Sequence, residues 1–174
     1  MDNEGVQCIC GVARAAEGAP THAYVPATPG CWQLFGEIQA DESLRFGYPP
    51  RAHKTVVDAY MASHPGDGKD RREAQSVVVH LVGICGLLEF NWDPEQSRSA
   101  MRTLLAKRGG QLPVIRPWSR PSALTVQSMV GAYDLPDYEQ RALAWANDVW
   151  DAWVNEHATI RSLLPESQDW GRRQ

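Results

Sequence analysis

Cysteine is scarce in this sequence: Cys8, Cys10, Cys31 and Cys85 are the only four in 174 residues. Excess positive charge is absent. A net charge of −4 excludes a global basic field, so no nucleic-acid partner is expected, and short runs such as Arg71-Arg72 and Lys107-Arg108 read as solvated turns or helix ends. The opening residues are acidic and polar rather than a basic start followed by an apolar run, so no signal peptide is expected. Long hydrophobic runs are missing too. The longest, Val77 to Leu88, is interrupted by His80, and spanning a bilayer takes about 20 apolar residues, so this stretch reads as a buried helix and no membrane partner is expected. The expected location is the cytoplasm, where thiols stay reduced and clustered cysteines point to metal binding or chemistry rather than disulfides. The phosphate-loop, dinucleotide, H-E-x-x-H and G-x-S-x-G signatures do not occur, and no internal repeat is present.

What remains is an ordinary globular composition, 43% apolar and 22% charged, long enough for one domain with a real core. Residues 1–30 are rich in Gly, Ala, Pro and Thr without a period and read as an irregular segment ending at Pro29-Gly30. Residues 31–164 read as a helical body. Trp32, Phe35 and Ile38 repeat at helical spacing over 31–42, and the two prolines of "RFGYPPR" break that helix. His53, Val57, Tyr60 and His64 form one stripe of a second helix ending at Pro65-Gly66. Residues 73–90 are apolar nearly all round, which predicts a central helix. Asp93-Pro94-Glu95-Gln96 is a helix start with cap and capping box, and that helix should end at Gly109-Gly110. A proline-rich stretch over 111–122, a short helix after Thr125 and a last helix from Pro136 to about Leu164 complete the body, with 165–174 as a tail. The fold class is therefore mainly α: a bundle-like single domain with an irregular Cys/His-containing N-terminal flap.

The chemistry-bearing residues crowd into the first half. Cys8, Cys10, His22 and Cys31 are a thiolate and imidazole set of the kind zinc prefers, and residues 1–30 have too few large apolar side chains to fold alone, so an ion would supply folding free energy. The competing reading makes Cys8 and Cys10 a strand-like pair and Cys31 a small buried hydrophobe. His53 and His64 are separated by roughly 16 Å along a continuous helix and cannot share an ion there. Folding 73–90 back antiparallel on 53–64 places Asp58 level with His80 and His53 level with Cys85, and an antiparallel first helix brings Glu37 to the same height. Glu37, Asp58, His64 and His80 are thus candidates for an acid–base or metal centre, because an imidazole inside "VVVHLVG" needs a partner. The alternative for His80 is a core histidine, and for His64 a helix C-terminal residue favoured by the dipole. Trp118 and Trp170, in polar contexts, are candidates for a partner surface.

The blocks "CxCG", "THAY", "PGCW", "HxxxxDAYxxxHP" (53 to 65) and "VVHLVGICGLLE", with "LTV" at 124 to 126 and "HATIR" at 157 to 161, resemble a family of small bacterial proteins built on a domain of unknown function. The chain departs from that pattern at its start, with Cys8-x-Cys10 where the family has Cys-x-x-Cys. The resemblance implies no reaction. It groups Cys10, His22, Cys31, His53, Asp58, His64 and His80 as one candidate set. Together these features predict a metal-binding protein holding zinc or another divalent ion through residues among Cys8, Cys10, His22, Cys31, His53, His64 and His80. Such a protein could be an enzyme acting on a small molecule, with an imidazole as base oriented by Asp58. The rival is a non-enzymatic, partner-binding protein whose Cys and His residues are structural.

Overall fold

Prolines and short polar caps set most of the helix starts. The computed structural model describes residues 7–16, 18–115 and 121–164. Helix α1 runs Pro29–Phe46, longer at both ends than the apolar repeat over 31–42 implies. Pro29 occupies the first turn, where its missing N–H costs nothing, and the Thr28 hydroxyl accepts the Cys31 N–H at 3.4 Å as the cap. At the other end the chain turns left-handed at Gly47. The proline pair that closes α1 also opens α2, Pro50–Ala62.

Helix α3, Arg71–Phe90, starts on an Asp70 cap and ends at Asn91, which takes a left-handed conformation. Helix α4, Pro94–Arg108, has the expected capping box: Asp93 accepts the Gln96 N–H and the Gln96 side chain accepts the Asp93 N–H, both at 2.8 Å. Helix α5 is Leu135–Ala152 and helix α6 is His157–Ser162.

The single helix expected from Pro136 to Leu164 is instead two, interrupted by a tight turn over Val154–Glu156. The cause lies in two side chains. The Trp153 indole N–H turns inward to the Ala62 carbonyl at 3.1 Å. The His157 ring stacks on Trp150 and its Nε2 donates to the Trp150 carbonyl at 2.9 Å, the acceptor that a continuing helix would need for Val154.

Helix α3 is central, packed against α2, α4, α5 and α6, while α2 lies between α3 and α5. By length and composition α3 could cross a bilayer, yet 56% of that stretch is buried among the other helices. One continuous hydrophobic cluster runs from Cys8 and Val12 in the N-terminal segment through Phe35, Tyr60 and Leu81 to Trp145 and Ile160. The described part of the N-terminal segment has no strand, only isolated bridges pairing Gln7 with Ala13 and His22 with Val25. Trp118, Trp170 and the tail 165–174 lie outside the described residues.

Candidate metal centre

Three elements deliver four ligand-type side chains to one point. In the N-terminal segment a tight turn, with the Cys8 N–H on the Val12 carbonyl and the Gly11 N–H on the Cys8 carbonyl at 2.8 Å each, aims Cys8 and Cys10 to the same side. Cys31 sits in the first turn of α1, where the helix dipole favours a thiolate. His64 follows the last turn of α2, held there by the main-chain bond from its N–H to the Met61 carbonyl at 3.2 Å. The three sulfurs and one imidazole nitrogen all lie within 4.8 Å of one another. All four residues are buried, at 3%, 3%, 0% and 2% exposure for Cys8, Cys10, Cys31 and His64.

The spacings suit a single tetrahedral ion. Zinc–sulfur bonds of about 2.3 Å and zinc–nitrogen bonds of about 2.0 Å put two tetrahedral sulfurs about 3.8 Å apart and a sulfur and nitrogen about 3.5 Å apart. The Cys10–Cys31 sulfurs are 3.6 Å apart, and Cys31 Sγ is 3.4 Å from His64 Nε2. A disulfide needs about 2.05 Å, and all four cysteines are free thiols.

The surroundings prepare these atoms for a cation. His64 Nδ1 donates to the Tyr60 carbonyl at 2.6 Å, which fixes the tautomer and turns the Nε2 lone pair toward the sulfurs. The Thr28 N–H donates to Cys8 Sγ at 3.4 Å, and the Tyr60 hydroxyl lies 3.4 Å from Cys31 Sγ. Burial, helped by Cys31, pushes the Tyr60 phenol far above its usual range, so it remains a donor. Contacts from Cys10 and Cys31 hold the Cys8 thiol far below its usual range, while contacts from Cys31 and Cys8 push Cys10 far up. Cys31 is drawn down by Cys10, but Cys8 and burial outweigh that and push it up to about 12. The sulfurs thus oppose one another's ionisation, and a divalent cation is what would let all three thiols ionise together.

The remaining candidates lie elsewhere. His22 packs against Trp32 with ring centres 4.8 Å apart, and its Nδ1 accepts the Tyr24 N–H. His53 Nδ1 pairs with Glu42 at 2.8 Å, and the buried Cys85 thiol is pushed up to about 12 by desolvation and by Glu89. Glu37 is on the surface in a two-pronged ion pair with Arg14 at 2.8 and 2.9 Å, away from Asp58 and His80. Asp58 and His80 do meet, His80 Nδ1 to Asp58 Oδ1 at 2.7 Å, and Lys54 Nζ contacts both oxygens of the same carboxylate. The cleft beside Asp58 and Lys54, bounded also by Arg51, Gly83, Trp92 and Ser97, opens to about 10 Å³, room for one water.

The sequence reading left Glu42, Lys54 and Tyr60 out of the site set. Glu42 has 0% exposure and joins His53 to the Tyr138 hydroxyl, which donates to it at 2.6 Å. A signal for it exists: Leu34, Ile38 and Glu42 fall on one face of α1, so a carboxylate interrupts an apolar stripe. Tyr60 carried a weaker one, its place on the stripe with His64.

The profile of a family of unknown function matches residues 6–154. No curated protein and no solved structure matches the chain.

Proposed function

Because the chain belongs to the DUF5946 family, whose description names no reaction, we propose its role from the site: it is a zinc-binding protein in which Cys8, Cys10, Cys31 and His64 hold one ion that fastens the N-terminal segment to α1 and α2. The single observation carrying this reading is the convergence of three buried sulfurs and an imidazole nitrogen within 4.8 Å. Thiolate and imidazole donors select zinc over magnesium or calcium. Four protein ligands fill a tetrahedron, and their burial leaves no side open to a substrate, which is the pattern of a structural site. Free thiols of this kind call for a reducing compartment, so we assign the protein to the cytoplasm. Elemental analysis of protein purified without added metal tests the proposal. One equivalent of zinc per chain, lost in the Cys10→Ser variant, is expected; trace metal in the wild type would overturn it.

Acid–base chemistry at His80 is a second reading, favoured by the Asp58 bond that leaves Nε2 without a hydrogen-bond partner among the described residues. It is weaker, because the cleft beside Asp58 takes only a water and His80 does not line it. A His80→Gln variant separates the two roles. Unchanged melting temperature and zinc content would leave the imidazole for chemistry, whereas a lowered melting temperature with zinc intact assigns it to packing.

A further inference from the structure

A zinc ion bound by three thiolates and a neutral imidazole carries a net negative charge, and here that charge would be buried. Something must replace the water that would otherwise solvate it. Among the described residues, donors from outside the ligand set reach the sulfurs: the Thr28 main-chain N–H on Cys8 and the Tyr60 hydroxyl on Cys31, each at 3.4 Å, with the Val12 main chain on Cys10. Tyr60 is the only one of these that a side-chain substitution can remove.

Tyr60 is tied to the site twice. Its hydroxyl faces Cys31, and its carbonyl accepts the His64 Nδ1–H at 2.6 Å. Its ring is wholly buried and stacked on Phe35, with centres 3.9 Å apart and planes within 13°. The ring also touches the imidazole of His64, with centres 4.4 Å apart. The stack fixes where the hydroxyl points, and the hydroxyl has no other hydrogen-bond partner among the described residues. One residue on α2 thereby orients a ligand from α1 and a ligand just past the end of its own helix.

We infer that Tyr60 is a positioning residue of the metal centre, whose hydroxyl donates to the Cys31 thiolate and neutralises part of the buried charge. The inference rests on the zinc-binding reading. No bond to the metal forms or breaks through Tyr60; its proton stays on oxygen. Outer-shell partners of this type are worth about 10- to 100-fold in metal affinity.

Cobalt(II) replacing zinc supplies the test, because its absorption reports the sulfurs directly. In Tyr60→Phe the ring stack is kept and only the hydroxyl is lost. The expected result is cobalt and zinc binding weakened by about 10- to 100-fold in chelator competition. The sulfur-to-cobalt charge-transfer band should also move to lower energy, since a thiolate relieved of its hydrogen bond is easier to oxidise. Phe35→Leu keeps the hydroxyl but loosens the stack that aims it, so affinity and band should move in the same direction as in Tyr60→Phe but by less; a larger effect than in Tyr60→Phe would mean the ring packing rather than the hydroxyl governs the site, against the inference. Unaltered affinity and band position in Tyr60→Phe would overturn the inference while leaving the metal centre intact. A wild-type protein that takes up no cobalt would overturn both.

Discussion

Asp58 shows how one side chain can be readable by type and unreadable by partner. Its helical spacing against His80 follows from folding α3 back on α2, and the two meet at 2.7 Å. Lys54, one turn earlier on the same helix, is the third member, and only packing reveals it, since lysines at i,i−4 from a carboxylate are common on solvated faces. Here the carboxylate is 4% and the ammonium 15% exposed. Removing the carboxylate would leave a nearly buried cation without its partner, at a cost of about 3–5 kcal/mol for a fully buried pair. Asp58→Ala is therefore expected to lose stability toward the lower end of that range in urea titration; a change within 0.5 kcal/mol, about what an ordinary surface substitution gives, would refute the burial argument. Gly83 tests the same packing from the other helix. A Cβ placed there would lie 2.4 Å from Asp58 Oδ2 and 3.1 Å from Lys54 Nζ, so the absence of a side chain is what lets the pair sit against α3. Gly83→Ala, normally favourable in a helix, should instead destabilise by about 1–3 kcal/mol. Glu42 is the converse case: the sequence reading did not single it out, although its place on an apolar stripe could have marked it as buried, and its partners His53 and Tyr138 come from α2 and α5, beyond the reach of local periodicity.

At the scale of elements, helix existence was legible and helix ends were less so. The apolar run over 73–90, the capping box at Asp93 and the proline breaks all correspond to observed elements, because each is a local physical signal. The break at Trp153 was not legible, because it depends on an indole reaching Ala62 and an imidazole capturing the Trp150 carbonyl. The short helix that results, α6, is tied to α3 by the two-pronged Arg161–Glu89 pair at 2.7 and 2.8 Å. Arg161 holds the Glu89 carboxyl below its usual range, against the opposing effect of burial. A carboxyl depressed in the folded state contributes stability above its unfolded pKa of about 4.3 and loses that contribution as pH falls through the folded value. Arg161→Ala should therefore cost stability at pH 7, and the cost should shrink in acid and vanish below the folded pKa. With the guanidinium side chain 47% exposed, the effect at pH 7 should stay under about 1 kcal/mol. Denaturant titrations of both proteins at pH 7 and at successively lower pH would show it; a cost independent of pH would mean that Arg161 acts through packing alone.

For the whole molecule, the question is what keeps residues 7–28 on the helical body. Their buried side chains are small, Cys8, Cys10, Val12, Val25 and Ala27, so apolar burial contributes little there. The surface pair between Arg14 and Glu37 links the segment to α1, but such exposed pairs are worth under about 1 kcal/mol. An ion on Cys8 and Cys10 from one side and Cys31 and His64 from the other would be the main fastening, and its binding free energy would be folding free energy for this segment. The rest of the protein does not depend on it in the same way, since α3 and its neighbours form their own packed centre. Metal removal should thus act locally. Arg14 is the only lysine or arginine between residues 7 and 28, which makes trypsin a site-specific probe. Protein stripped with a strong chelator, or the Cys10→Ser variant, should be cut after Arg14 within a time that leaves the zinc-loaded protein uncut there, while helical circular dichroism is nearly unchanged because the described residues of the segment form no helix. Equal resistance at Arg14 in both forms would show that packing alone fastens the segment, and a collapse of the helical signal on stripping would show that the ion supports the body as well.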